Sequence, residues 1–73
     1  MSRVIGNKEL KQISDAELRK ITINQGVIFY MYNGEMIEFR VKDLIVSNTG
    51  IAIFIDYTGL KVFRQNIERI EIL

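Results

Sequence analysis

The chain reads as a mainly-β domain in which an N-terminal α-helix precedes five strands of a strongly bent antiparallel sheet, the wall of a small barrel. Three features predict this. Asn33-Gly34 lies between two apolar runs, residues 27–32 and 36–41, and Asn-Gly in that setting is the strongest short-range hairpin signal. Beyond residue 26 the apolar runs are short, rich in β-branched residues and separated by turn-forming residues. Before it, Leu10, Ile13, Leu18 and Ile21 recur at helical spacing with charges between them.

Seventy-three residues allow one small domain. The chain has no cysteine for a disulfide or thiolate site and no histidine. This excludes Ser-His and Cys-His catalysis and the common zinc sites, so stability must come from a very apolar core or from self-association. Isoleucine alone fills thirteen positions, which suits either route. The net charge of +1 is too small for the basic field of a strong nucleic-acid binder. The five glycines form no phosphate-cradling loop, and no pair of carboxylates can be assigned to a common cleft. A non-enzymatic protein is expected, with no cofactor. No apolar run approaches the roughly 20 residues of a membrane span, and no signal-peptide pattern opens the chain, so a cytoplasmic location with no membrane partner is expected.

Residues 1–6 read as a short extended start. The helix covers about residues 8–21, or 14–21 if it begins at the capping box Ser14-Asp-Ala-Glu17, with a separate turn over residues 7–12. Strands follow at about 27–32, 35–46, 51–57, 60–65 and 67–72. A two-residue turn at Asn33-Gly34 pairs Tyr30 with Ile37 and Ile28 with Phe39. It sets Ile28, Tyr30, Ile37, Phe39 and Val41 on one face and Val27, Phe29, Met31 and Met36 on the other, with the ribbon buried on both faces near its turn. A two-residue turn at Thr58-Gly59 likewise pairs Asp56 with Lys61 and Phe54 with Phe63. Residues 51–55, uncharged and free of proline, must be paired on both sides, by this chain or by another copy, to avoid aggregation. Five strands on short loops after one helix point to a barrel of Sm or SH3 type.

Two stretches resemble the Sm/LSm family, and within it the bacterial RNA-chaperone branch. Tyr30-Met31-Tyr32-Asn33-Gly34 is similar to that family's first strand and turn, and Phe63-Arg64-Gln65-Asn66-Ile67-Glu68-Arg69-Ile70 to the tight break between its fourth and fifth strands. The likeness spans residues 8–72. It implies a homo-oligomeric ring joined by edge strands, with Arg64 and Gln65 on the loop that lines the pore and contacts uridine-rich RNA. Where the family bends its second strand at a glycine, this chain has Glu38-Phe39-Arg40, and Gln65 stands where the chaperone's pore loop has histidine. Residues 60–64 and 67–70 also resemble the end of a WYL-type ligand-sensing barrel, without its three-residue signature.

The leading expectation is therefore a self-associating barrel that binds RNA or a nucleotide-bearing ligand through Tyr57, Arg64, Gln65 and Lys42. Tyr57 sits beside a turn where a base could stack on it, and the cations could meet phosphate. The alternative is a phage or prophage protein that binds a host protein through Val27, Phe29, Met31 and Met36, should the helix leave that patch uncovered. A ligand-sensing barrel is third.

Overall fold

The computed structural model describes residues 2–73; Met1, the first residue of the expected extended start, lies outside them. The elements in order are β1 (Arg3–Ile5), α1 (Asn7–Gln12), α2 (Asp15–Thr22), β2 (Gly26–Met31), β3 (Met36–Val46), β4 (Ala52–Asp56), β5 (Lys61–Phe63), a 3₁₀ turn (Arg64–Asn66) and β6 (Ile67–Ile72). The architecture is mainly β, as the apolar pattern requires. It has six strands rather than five, because Arg3–Ile5 pairs antiparallel with Ile70–Ile72. Three residues carry too little periodicity to be read as a strand in isolation, and here the partner strand makes the strand. All pairings are antiparallel, in the order β1-β6-β2-β3-β4-β5, and the sheet is bent but not closed into a barrel. Its free edges belong to β1 and β5.

The helical region splits as the capping box foresaw. Ser14 is the N-cap of α2 and its Oγ accepts from the Glu17 amide at 3.1 Å; among the described residues Glu17 makes no return bond. Leu10 and Leu18, on α1 and α2, are buried in the core, where the helices cover one side of the sheet. No helix among the described residues is long and apolar enough to cross a membrane.

The hairpin registers differ from the sequence expectation by one residue, for one reason. Each of the three hairpins closes through a three-residue loop: Tyr32-Asn33-Gly34, Asn48-Thr49-Gly50 and Tyr57-Thr58-Gly59. In each, the residue before the loop donates its N–H to the carbonyl of the residue after it, Met31 to Glu35, Ser47 to Ile51 and Asp56 to Leu60. Each glycine is left-handed, with φ of +89°, +84° and +96° in order. A two-residue type I′ turn needs positive φ at Asn33 as well, and Asn33 does not adopt it. A side chain accepts inside every loop: Asn33 Oδ1 from Glu35 N, Ser47 Oγ from Ile51 N, and Asp56 Oδ1 from the amides of Thr58 and Leu60.

The extra loop residue moves the pairing to Val27–Phe39, Phe29–Ile37 and Tyr30–Met36, and in the last hairpin to Phe54–Val62, Ile53–Phe63 and Ile55–Lys61. A one-residue slip exchanges the faces of a strand relative to its partner. Val27 and Phe29 therefore share the core face with Phe39 and Val41, all four buried. The outer face carries Ile28, Tyr30, Met36, Glu38 and Arg40, with Met36 64% exposed, so the ribbon is not buried on both faces near its turn.

The bend occurs without a glycine. Between Val41 and Asp43 the β3–β4 register shifts and Lys42 becomes the extra residue of a bulge, which twists β3 so that its first half pairs with β2 and its second half with β4. The curvature brings Phe54 of β4 against Phe29 of β2, ring centroids 4.9 Å apart, while the Phe39 ring lies 4.8 Å from that of Phe29. The oily segment ending at Ile55 is paired by β3 and by β5 of its own chain. Since no atom crowds a Cβ added at Gly59, Gly59→Ala meets only the left-handed backbone penalty. It is expected to lower stability by roughly 1–2 kcal/mol, seen as a lower urea midpoint at unchanged slope, and Gly59→Asn by less.

Candidate functional site

The four residues expected to meet RNA or a nucleotide lie in two separate places. Lys42 and Tyr57 belong to one end of the sheet, where the loop after α2 meets the bulge of β3 and the β4–β5 loop. There Asn24, left-handed at φ +61°, donates its N–H to the Val41 carbonyl at 2.8 Å, and the Tyr57 hydroxyl donates to Asn24 Oδ1. Tyr57 is 58% exposed, so its ring is open while its hydroxyl is engaged. Arg64 and Gln65 belong to the 3₁₀ turn and face the joint between α1 and α2.

Arg64 is a structural clamp. Its guanidinium donates to the carbonyls of Leu10 and Ile13 at the end of α1 and to the Asp15 carboxylate in the first turn of α2. One fork thus satisfies carbonyls that a helix leaves without partners and holds a carboxylate. The side chain is mostly buried, and its charge is balanced by Asp15. Gln65 remains exposed. It lines a cleft of about 470 Å³ with an apolar floor of Leu10, Ile13, Ala52 and Ile67 and a rim that includes Tyr32 and Lys11. The Tyr32 hydroxyl accepts from Asn7 Nδ2 at 2.7 Å, and the same amide nitrogen donates to the Glu68 carbonyl at 3.0 Å.

The four residues expected at a partner interface are also divided. Val27 and Phe29 are fully buried in the monomer, Met31 is partly buried against the core, and Met36 stands exposed on the opposite face. They form no common surface, because the hairpin register placed three of them inside.

An apolar surface that pattern reading did not locate lies on the outer face of β3, β4 and β5. Registered neighbours there form two rows across the strands, Ile45–Ile53–Phe63 and Asp43–Ile55–Lys61. Ile45 and Phe63 are each 41% exposed, and Ile53 and Ile55 between them are partly exposed. The signal for it was present: isoleucine at 51, 53 and 55, alternating with Ala52 and Phe54, marks a strand apolar on both faces. Only the sheet shows that one of those faces lies toward solvent. The outer face of β1, β6 and β2 is different in kind, because Arg69 stacks over the Tyr30 ring at 4.2 Å and the Tyr30 hydroxyl reaches Glu71 at 3.4 Å.

Two carboxylates near these surfaces are held below the ordinary carboxylate range. For Asp43 the main cause is the hydrogen bond from Arg19 Nε, at 2.6 Å; the Leu44 amide and the charges of Arg19 and Lys42 add to it and outweigh desolvation. For Asp56, burial alone would raise the carboxyl, but the Thr58 hydroxyl and the amides of Leu60, Thr58 and Gly59 together outweigh it and keep the group low. Both serve structure, fastening α2 to β3 and closing the last hairpin. No family model, curated protein or solved structure matches the chain.

Arg64→Lys keeps the charge but loses the planar fork, and is expected to cost roughly 1–3 kcal/mol in urea unfolding. The lowered carboxylates bind fewer protons folded than unfolded, so their contribution is complete above the unfolded value and is lost as pH falls through the folded one. The melting temperature is therefore expected to fall progressively below about pH 4. Asp56→Asn, which keeps an accepting oxygen in the loop, should flatten that acid limb.

Proposed function

We propose that this protein is a cytoplasmic, non-enzymatic binding module, Sm- or SH3-like in the sequence of its elements, that acts by protein–protein contact through the outer face of β3, β4 and β5. The observation that carries this reading is the Ile45–Ile53–Phe63 row, an apolar strip on a solvent-facing sheet surface. The Sm- or SH3-like reading is supported by the helical region ahead of a strongly bent run of strands, and by the 3₁₀ break at Arg64–Asn66 just before the last strand.

The RNA reading draws less support from the arrangement. Its cations are few and split between two places, and Arg64 is neutralised by Asp15 and committed to the helix carbonyls. A ring joined through the last strand also lacks an open ladder there, because β1 already pairs with the outer side of β6.

Affinity purification from cell lysate, with and without nuclease, compares the wild type with Ile45→Glu. The expected result is a protein partner, a further copy included, retained by the wild type, indifferent to nuclease and lost from the variant. Nuclease-sensitive absorbance at nucleic-acid wavelengths, unaffected by Ile45→Glu, would replace this reading with a nucleic-acid one centred on Gln65 and Tyr32.

A further inference from the structure

Resting on that reading, we infer that the partner of the β3–β4–β5 face is a second copy of the same chain, packed sheet on sheet about a two-fold axis that runs along β4. The argument is one of self-complementarity. The face has two registered rows: Ile45 on β3, Ile53 on β4 and Phe63 on β5, then Asp43 on β3, Ile55 on β4 and Lys61 on β5. A two-fold axis along the central strand carries β3 of one copy onto β5 of the other and leaves positions along the strands unchanged. Ile45 then lies opposite Phe63 of the second copy, Asp43 lies opposite its Lys61, and Ile53 and Ile55 meet their own counterparts.

The charges select this axis. A two-fold axis across the strands would exchange the rows and set Asp43 and Lys61 against Ile45 and Phe63, burying charge against hydrocarbon. The axis along β4 places opposite charges together on both flanks and only aliphatic groups at the centre, which is the pattern of an isologous interface. Asp43 is available for the second contact. Its Oδ1 accepts from Arg19 Nε, its ion-pair partner in the chain, and from Leu44 N, whereas its Oδ2 has no hydrogen bond among the described residues. Lys61 is exposed and forms no ion pair among the described residues. Aligned sheets pack about 10 Å apart with strands within about 30° of each other, which isoleucine and phenylalanine side chains fill from both sides.

The size of the face sets the strength. Three strands about 4.8 Å apart, the central one about 17 Å long and β5 shorter, present a footprint far below the roughly 800 Å² per partner of a standard stable interface. The dimer is therefore weak and in exchange with monomer.

Size-exclusion chromatography with light scattering over a hundredfold range of concentration, with the absorbance ratio recorded on the same peak, tests this. The wild-type mass should climb from one chain toward two. Phe63→Glu, at an exposed position, should remain at one chain throughout with an unchanged circular dichroism melt. Lys61→Asp, which sets two carboxylates against each other, should shift the midpoint to at least severalfold higher concentration. A wild type that stays monomeric at every concentration, or a dimer indifferent to both substitutions, overturns the proposed copy-to-copy contact. Mass and absorbance are separate readouts: a monomer free of nucleic acid removes the dimer alone, whereas bound nucleic acid removes the contact-module reading beneath it.

Discussion

The structure depends on the contact of Phe29 with aromatic rings on either side of a bend. Phe39, on the adjoining half of β3, and Phe54, two strands away on β4, both lie within 5 Å of its ring centre, and neither is more than marginally exposed. A flat sheet would keep β2 and β4 apart by the width of β3. Their rings meet because β3 turns through the bulge at Lys42, and a bulge twists a strand more strongly than a regular ladder does. The bend and the aromatic cluster sustain each other: the bulge draws the strands that carry the rings together, and the rings fill the centre that the bent sheet encloses.

A single bent sheet has two ends and two edges to manage, and several polar side chains of this chain serve them. Arg64 gathers the end of α1 and the start of α2 onto the 3₁₀ turn, Arg19 ties α2 to Asp43, and Asp56 closes the last hairpin with its own carboxylate. β1 covers the outer ladder of β6. This division of labour bears on function. Arg64 is committed to helix carbonyls and to Asp15, while the solvent face of the second half of the sheet carries the apolar row Ile45–Ile53–Phe63. The proposed contact between apolar surfaces, with charge setting the orientation, rests on this division.

The sequence was most legible where a signal is complete within a few residues. The Ser14 cap, the strand nature of residues 52–56 and the turns at Gly34 and Gly59 are all local, and all are present. It was least legible where one residue of loop length decides which face points inward. Two-residue and three-residue loops have nearly the same composition, and the choice lay with the N–H to carbonyl bonds that bridge residues 31 and 35, 47 and 51, and 56 and 60. That choice sent Val27 and Phe29 to the core and left Met36 outside.

Composition and periodicity by themselves determined that this chain is mainly β, that a capped helix precedes the hairpin at Asn33-Gly34, and that it lacks the side chains for thiol or imidazole chemistry. These follow from properties each residue carries wherever it sits. The tertiary structure alone decided that the sheet has a sixth strand and stays open, that Arg64 closes on partners 49 to 54 residues away, and that Ile45, Ile53 and Phe63 fall in one exposed row. Those are relations between distant parts of the chain, set by strand register and the bend in β3, and no short window of sequence contains both halves of any of them.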